Sequence, residues 1–263
     1  MSYKIGILIP STTNKRDWKK IEDTSLYNVF LKSFLITYSN EYNYTLYLTI
    51  DPDDKLYSID SEIEKLKRFI SIMKNIELKI VYTTDIPKGW VTHMWNRAFK
   101  IAYDDNCDYF LQCGDDIHFL EKDWVKESIK IFEKNDNIGL TGPMDYDRIK
   151  SGRNSWPGGA RFIQTQNFIS RKHMDIFGFL FPPQLKNWYC DDWITKVYYE
   201  TGNFHLIRKF IRNIGGVPRY EIIGSLKPGD PVKCLCDELI KYYSNTIIEY
   251  CKKINIFLFF QKY

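Results

Sequence analysis

Residues 109–116 are Tyr-Phe-Leu-Gln-Cys-Gly-Asp-Asp, a short apolar run followed by a glycine and two adjacent carboxylates. An apolar run of this length, bounded by turn residues, is typical of a strand buried in a sheet. Two acids directly after such a strand suit a hard divalent cation, which is held by carboxylates and phosphate oxygens. The other interpretation of Asp115 and Asp116 is an N-terminal helix cap or a solvated turn.

Strand-like and helix-like segments alternate upstream of this run. The predicted strands are Ile5–Ile9, Tyr44–Ile50 and Leu78–Tyr82. The predicted helices are residues 18–38, a helix with a Ser61–Glu64 capping box and a helix capped by Thr92 that carries Trp95 and Phe99. With the strand at 108–113 this order predicts an α/β fold with an open, mostly parallel sheet and helices on both faces.

The regular alternation of strand and helix segments ends at about residue 137. Strands are predicted at 138–141 and 161–170, and helices at 172–177 and 191–201. Because no repeat or low-complexity linker separates the halves, we expect one domain over residues 1–263. It would comprise a nucleotide-binding half (1–118), an acceptor-side half (119–205) and a C-terminal extension (206–263).

Polar side chains follow most of the predicted strands. In open α/β sheets ligands bind beyond the carboxyl ends of the strands, which meet at one edge. The candidates for binding a ligand there are Pro10, Ser11, Thr12, Thr13, Arg16, Asp51, Lys88, Asp115 and Asp116. Each is unremarkable in a loop, and it is their coincidence at one edge that predicts a site.

Four further features allow both a functional and a structural interpretation. Asp191 and Asp192 precede Trp193, and acids in an aromatic setting serve as general bases, although acids at a helix start are also ordinary caps. The loop of Trp156, Gly158 and Gly159 offers a ligand a stacking surface and close backbone approach, or is a structural turn. The basic run 208–213 would bind phosphates or form a solvated helix face. His205 is a candidate metal ligand or an ordinary buried histidine.

Composition limits the class of protein. Hydrophobic residues make up 44% and charged residues 27% of the 263-residue chain, as in ordinary globular proteins. The 37 basic and 33 acidic residues leave a net charge of +4, too small for a protein that coats nucleic acid. A Rossmann dehydrogenase is excluded because no GxGxxG follows the first strand.

The chain carries no pattern for secretion or for crossing a membrane. No signal peptide opens the sequence, no apolar stretch approaches the ~20 residues of a transmembrane helix, and the 6 cysteines have no metal-binding spacing. We therefore expect a cytoplasmic protein with free thiols. The apolar segment 256–260 would complete the core, fray, or touch a membrane surface.

Taken in order, these motifs resemble the glycosyltransferases of the GT-A fold, particularly the family-2 type. Residues 7–11 resemble the family's opening strand and loop, and Asp51 resembles the acid that meets the base or ribose. Asn96 stands in a segment that resembles the helix before the metal strand. Asp115 and Asp116 resemble the metal motif itself. Asp191 and Asp192 resemble the acceptor-side pair, whose second acid is the base in inverting members. The resemblance covers about residues 4–200.

The resemblance implies a GT-A-like open mixed sheet, with a Rossmann-like nucleotide-binding half and an acceptor-side lobe. It implies a hexosyltransferase-type enzyme that moves a sugar from a nucleotide diphosphate sugar, such as a UDP-sugar, to a hydroxyl of a glycan, protein or other compound. Mn²⁺ or Mg²⁺ would be held by Asp116, with Asp115 and His205 as further candidates. Asp192 would deprotonate the acceptor and give inversion, whereas retention would require another role. Gly114 stands where the metal motif usually begins with an acid.

Two other functions remain open at this point. A nucleotidyltransferase has a similar sheet, but its first loop is usually rich in glycine, and residues 10–16 contain none. A non-catalytic sugar-nucleotide-binding scaffold on the same fold is suggested by Gly114. A nucleic acid is considered only as an acceptor of the sugar. The sequence identifies neither the sugar nor the acceptor.

Overall fold

A computed structural model describes residues 2–152, 162–216, 218–225, 227 and 229–254. Within them the strands are β1 (Lys4–Ser11), β2 (Asn43–Ile50), β3 (Ile76–Tyr82), β4 (Tyr109–Gln112), β5 (Ile117–Phe119), β6 (Met144–Asp145), β7 (Asn167–Ser170) and β8 (Phe210–Asn213). The α-helices are α1 (Lys32–Thr37), α2 (Asp60–Ile70), α3 (Val91–Asp104), α4 (Trp124–Lys134), α5 (Tyr146–Lys150), α6 (Lys172–Phe177), α7 (Cys190–Glu200) and α8 (Pro231–Lys253).

The main sheet has five strands in the order β3-β2-β1-β4-β7. The first four strands are parallel, and β7 runs antiparallel to β4. Ile7 of β1 lies opposite Leu46 of β2 and Leu111 of β4, so the apolar run at 5–9 forms the centre of the sheet. The predicted α/β fold with an open, mostly parallel sheet is confirmed.

Each face of the sheet is covered by its own apolar core. Ile5, Ile7 and Ile9 of β1 pack on one face, where α2 and α4 contribute to the same cluster. Leu8 points to the other face, where α3, α7 and α8 contribute. Side chains alternate between the faces of a strand, so a continuous apolar run is what a doubly covered strand requires.

A smaller sheet brings the C-terminal third of the chain beside the two acids that follow β4. Its order is β5-β8-β6. Ile117, directly after Asp116, pairs with Asn213 of β8, and the Ile214 N–H donates to the Asp116 carbonyl oxygen at 3.0 Å. The basic run 208–213 therefore contributes a strand, and its interpretation as a solvated helix face is wrong.

Several predicted helix starts are wrong. Segment 18–38 begins with a 3₁₀ turn at Ile21–Asp23 and becomes continuous only from the π-helical stretch Leu26–Leu31. No Ser61–Glu64 capping box forms, because α2 starts one residue earlier, at Asp60. Thr92 lies inside α3 and donates its hydroxyl to the Leu185 carbonyl of a neighbouring loop.

Two predicted strands are shorter than expected. Within 138–141 only isolated bridges form, from Leu140 to Phe204 and from Thr141 to Phe168. Gly139 and Gly142 have φ values of 146° and 148°, which interrupt a regular ladder. In the described part of 161–170, the strand is limited to β7, and residues 162–166 approach it as a loop.

Candidate functional site

A cleft of about 600 Å³ opens at the carboxyl ends of β1, β2 and β4. Of the residues that the sequence nominated, it is lined by Pro10, Ser11, Thr12, Asp51, Lys88, Asp115, Asp116 and Asp191. The parallel strands deliver the first seven of these from separate loops to one edge, and α7 supplies the last. The cleft thus joins the predicted donor side and the predicted acceptor side in one space.

Asp115 is held by an arginine from the far end of the chain. Arg219 donates through both terminal nitrogens to the two carboxylate oxygens, with Nη1 2.8 Å from Oδ2, and its Nη1 also donates to the Thr12 carbonyl at 3.0 Å. The Ser11 hydroxyl donates to the same Oδ2 and lies 2.7 Å from the Tyr57 hydroxyl. The Asp115 side chain is only 1% exposed. Both of its oxygens are therefore engaged by the protein.

Asp116 is differently placed and retains a carboxylate at the cleft. Its Oδ2 lies 3.8 Å from the Arg219 guanidinium. Gly114 and Gly215 pack directly against it: a Cβ built on Gly114 would come within 2.6 Å of its Oδ1, and one on Gly215 would overlap the carboxylate. Burial, together with the charge of Asp115, raises the pKa of Asp116 to about 6. A nearby positive charge would relieve this strain.

Asp116 would offer a hard divalent cation a single carboxylate. Mg²⁺ is usually held by one or two carboxylates, with phosphate oxygens and water completing the shell. In the described ranges no three His, Cys, Asp or Glu side chains are grouped for a metal. Because Arg219 and Ser11 engage Asp115, a cation here would rest on Asp116, whose carboxylate lines the cleft. The predicted contribution of Asp115 to metal binding remains a prediction.

The opposite end of the cleft is formed by the loops after β2 and β3. Asp51 is 7% exposed, and burial raises its pKa while the charge of Lys88 opposes the rise. The Lys88 Nζ lies 2.6 Å from Asp53. Asp54 braces the first loop, since it accepts hydrogen bonds from the Thr12 hydroxyl and from the Thr13 backbone and hydroxyl.

The two acids at the start of α7 face different surroundings. Tyr189, with φ 67°, turns the chain into the helix. Asp191 lines the cleft, and burial together with the charge of Asp192 raises its pKa to about 7. Asp192 lies outside the cleft lining; burial raises its pKa, and the charges of Lys196 and Lys233 oppose the rise. The cleft therefore contains the first acid of the pair, whereas the resemblance nominated the second.

Some nominated residues lie elsewhere in the structure. Asn96 accepts from the Leu180 and Phe181 N–H groups and donates to the Phe181 carbonyl, which fixes a loop outside the cleft lining. His205 packs against the backbone at Gly139, also outside that lining, and burial lowers its pKa. Trp156, Gly158, Gly159 and the apolar segment 256–260 lie outside the described residues.

Thr13 and Arg16 lie outside the cleft lining and bind to segments next to it. Thr13 binds Asp54 rather than the cleft. Arg16 donates to the Gly215 carbonyl at 2.9 Å, and its charge opposes the rise in the pKa of Asp116. It therefore stabilises the segment that carries Arg219.

Sequence reasoning missed several residues of the cleft. They are Arg219 and Tyr220 after β8, Asp145 and Arg148 around α5, and Thr165 and Gln166 before β7. None stands at the carboxyl end of a strand of the parallel sheet, where the sequence pattern predicts ligand contacts. A search for single basic residues in the C-terminal third would have found Arg219 only among many others.

No helix among the described residues combines the length and apolar character needed to span a bilayer. The cleft lining includes buried carboxylates, Asp51 and Asp115, beside the two apolar cores. One cleft therefore contains the acidic pair Asp115 and Asp116, the loop held by Asp54, and Asp191, which lies 75 residues after Asp116 in the sequence.

Comparison with solved structures identifies the fold. Two structures of S. aureus TarS residues 1–349, one in complex with UDP, match with TM-score 0.53 and 11% identity over 78% of this chain and 59% of theirs. The complex of the same protein with UDP-GlcNAc matches with TM-score 0.57 and 12% identity over 94% of this chain and 73% of that one. The chain thus spans less than two thirds of the first two structures.

This chain has a GT-A-like fold, the mixed α/β architecture around a mostly parallel sheet that the TarS structures share. At this level of identity the likeness establishes the fold and leaves substrates to be argued from the cleft. No protein-family model and no curated protein sequence matches the chain.

Proposed function

We propose that the chain is a glycosyltransferase that takes a sugar from a UDP-sugar and transfers it to an acceptor hydroxyl. The observation that carries the proposal is the meeting of Asp116 and Asp191 in one cleft at the carboxyl edge of the sheet. Phosphate departure needs positive charge, and hydroxyl attack needs a base, so the reaction needs both kinds of group close together. The TarS complexes with UDP and UDP-GlcNAc support this donor class.

The donor would lie along the sheet edge. Asp51 and Lys88 would take the nucleoside end, and the loop at Ser11 and Thr12 would contact the ribose and phosphates. Asp54 makes that loop rigid before a ligand arrives, which reduces the entropy lost on binding. Asp116 would hold Mn²⁺ or Mg²⁺, which when bound supplies charge that stabilises the departing diphosphate.

Asp191 would act as the general base. Its pKa of about 7 suits a group that must accept a proton near neutral pH. It would take the proton of the acceptor hydroxyl while that oxygen forms a bond to the anomeric carbon and the bond to the diphosphate breaks. With the base and the leaving group on opposite sides of the sugar, the product would be inverted.

Titration of the protein with UDP and UDP-GlcNAc, with and without Mn²⁺, tests donor binding by calorimetry. Release of UDP from UDP-GlcNAc, with water as acceptor, then tests the chemistry. Asp191→Asn should bind UDP as the wild type does and lose at least about 100-fold in turnover, the usual contribution of a general base. Asp192→Asn is the matched control, because the neighbouring acid lies outside the cleft lining. It should keep turnover, with a pH profile moved to lower pH, since the charge of Asp192 contributes to raising the pKa of Asp191.

Each alternative function has its own outcome. Binding of nucleoside triphosphates alone would favour a nucleotidyltransferase. UDP-sugar binding with no turnover would favour a scaffold. Turnover lost in Asp192→Asn and kept in Asp191→Asn would return the role of base to the second acid.

A further inference from the structure

The end of the cleft next to Asp191 is built around a buried glutamine that bonds to three other residues. The Gln164 N–H donates to the Thr195 hydroxyl on α7 at 2.9 Å, and its Nε2 donates to the carbonyls of Pro143 and Gln166 at 2.9 and 2.8 Å. These bonds fix Thr165 and Gln166 beside β6 and α7. Their positions are therefore set by the fold before any ligand binds.

Three polar atoms at this end have no hydrogen-bond partner among the described residues. They are Gln166 Oε1, Thr165 Oγ1 and Arg148 Nε, and all three residues line the cleft. Gln166 is only 4% exposed. A buried polar atom left unpaired costs about 1–3 kcal/mol, so buried polar atoms in folded proteins nearly always have partners. All three residues line the cleft, so a ligand bound there would supply the partners once these buried atoms turn towards it.

The chemistry of this wall suits a ligand whose groups both donate and accept. Gln166 Oε1 accepts, Arg148 Nε donates and the Thr165 hydroxyl does both. Asp145, whose Oδ1 caps α5, and Asp191 add two carboxylates beside the single guanidinium of Arg148. When both acids are ionised the formal charge of the wall is −1, which disfavours an anionic group.

From this wall we infer that Gln166, Thr165 and Arg148 form the subsite for the transferred sugar, and that the sugar is an uncharged pyranose. The inference rests on the proposed function. A sugar attached to a diphosphate at Asp116 and attacked beside Asp191 must lie between them, and this wall borders that space. Pyranose hydroxyls both donate and accept hydrogen bonds. A uronic acid would instead bring a third carboxylate close to those of Asp145 and Asp191.

The test compares the affinities of UDP, UDP-glucose, UDP-GlcNAc and UDP-glucuronate by calorimetry in the presence of Mn²⁺. The wild type should bind at least one of the two neutral sugar nucleotides more tightly than UDP, and UDP-glucuronate no more tightly than UDP. Gln166→Met, which keeps the volume and removes the acceptor, should weaken binding of that neutral sugar nucleotide about fivefold, the loss of one hydrogen bond. Its affinity for UDP should not change.

Gln184→Met is the matched control, since Gln184 is exposed and lies outside the cleft lining. If Gln166→Met fails to fold, judged by its circular dichroism melt, Thr165→Val takes its place with the same expectation. A wild type that binds neither UDP nor a UDP-sugar would refute the proposed function. Three results would overturn the subsite alone. Gln166→Met could weaken binding of UDP as much as binding of the sugar nucleotide, or weaken neither. The wild type could also prefer UDP-glucuronate.

Discussion

Replacing Arg219 by methionine removes the guanidinium from a carboxylate that is almost wholly buried. Asp115 and Arg219 are 1% and 12% exposed, and they share a two-pronged bond. Breaking a buried pair from one side costs about 3–5 kcal/mol, because the remaining charge is left without compensation. Ser11 continues to donate to Asp115 in the variant, which moves the expected loss to about 3 kcal/mol.

Urea unfolding followed by circular dichroism measures this loss as a fall in the free energy of unfolding. Arg208→Met is the control, since Arg208 is exposed and its removal should change stability by less than about 0.5 kcal/mol. A double-mutant cycle with Asp115→Asn isolates the pair, and we expect a coupling energy of at least about 1.5 kcal/mol.

The reasoning is refuted if Arg219→Met costs no more than the Arg208 control. It is refuted equally if the two single changes add within about 0.5 kcal/mol, because residues in direct contact do not behave independently. Either result would mean that the C-terminal segment does not close the cleft through this ion pair.

Three further predictions concern the acids of the cleft. Burial and Asp192 raise the pKa of Asp191 to about 7, so the folded state holds its proton more tightly than the unfolded chain and stability falls as the pH rises towards 7. Asp191→Asn lacks this titrating group, so in urea unfolding its free energy of unfolding relative to the wild type should be higher at about pH 8 than at about pH 4. The same difference at both pH values would contradict the linkage. In Asp116→Asn, Mn²⁺ should no longer strengthen UDP binding in calorimetry; a retained metal effect would remove Asp116 from the cation site. Gly215→Ala places a methyl group on the Asp116 carboxylate and should cost about 1–3 kcal/mol in urea unfolding, with wild-type stability as the contrary result.

The sheet could be predicted from the sequence because its signals are local. An apolar run such as 5–9 needs no distant partner to be recognised, and the carboxyl ends of parallel strands meet at one edge by geometry. Asp51, Asp115 and Asp116 therefore reached the cleft as expected. The capping box at Ser61 failed because α2 begins at Asp60, and Glu62 of the same turn accepts a hydrogen bond from the Ile21 N–H.

The rest of the site depends on contacts that no local pattern encodes. Neighbouring residues on a helix point about 100° apart, so the choice between Asp191 and Asp192 is set by how α7 is rotated against the sheet. Arg219 is one basic residue in a segment without periodicity. Gln166 stands two positions from Gln164, and only the structure distinguishes the amide whose nitrogen donates two hydrogen bonds from the one whose oxygen has no partner among the described residues.

The bond between Arg219 and Asp115 joins residues that are 104 positions apart. During synthesis at about 5–20 residues per second, the arginine emerges about 5–21 s after the acid. The parallel strands are complete in the nascent chain well before that time, and in that interval the acid lacks its guanidinium. The ion pair at the cleft is therefore completed late in biosynthesis, and a ribosome stalled before residue 219 would present a sheet whose buried acid still lacks its partner.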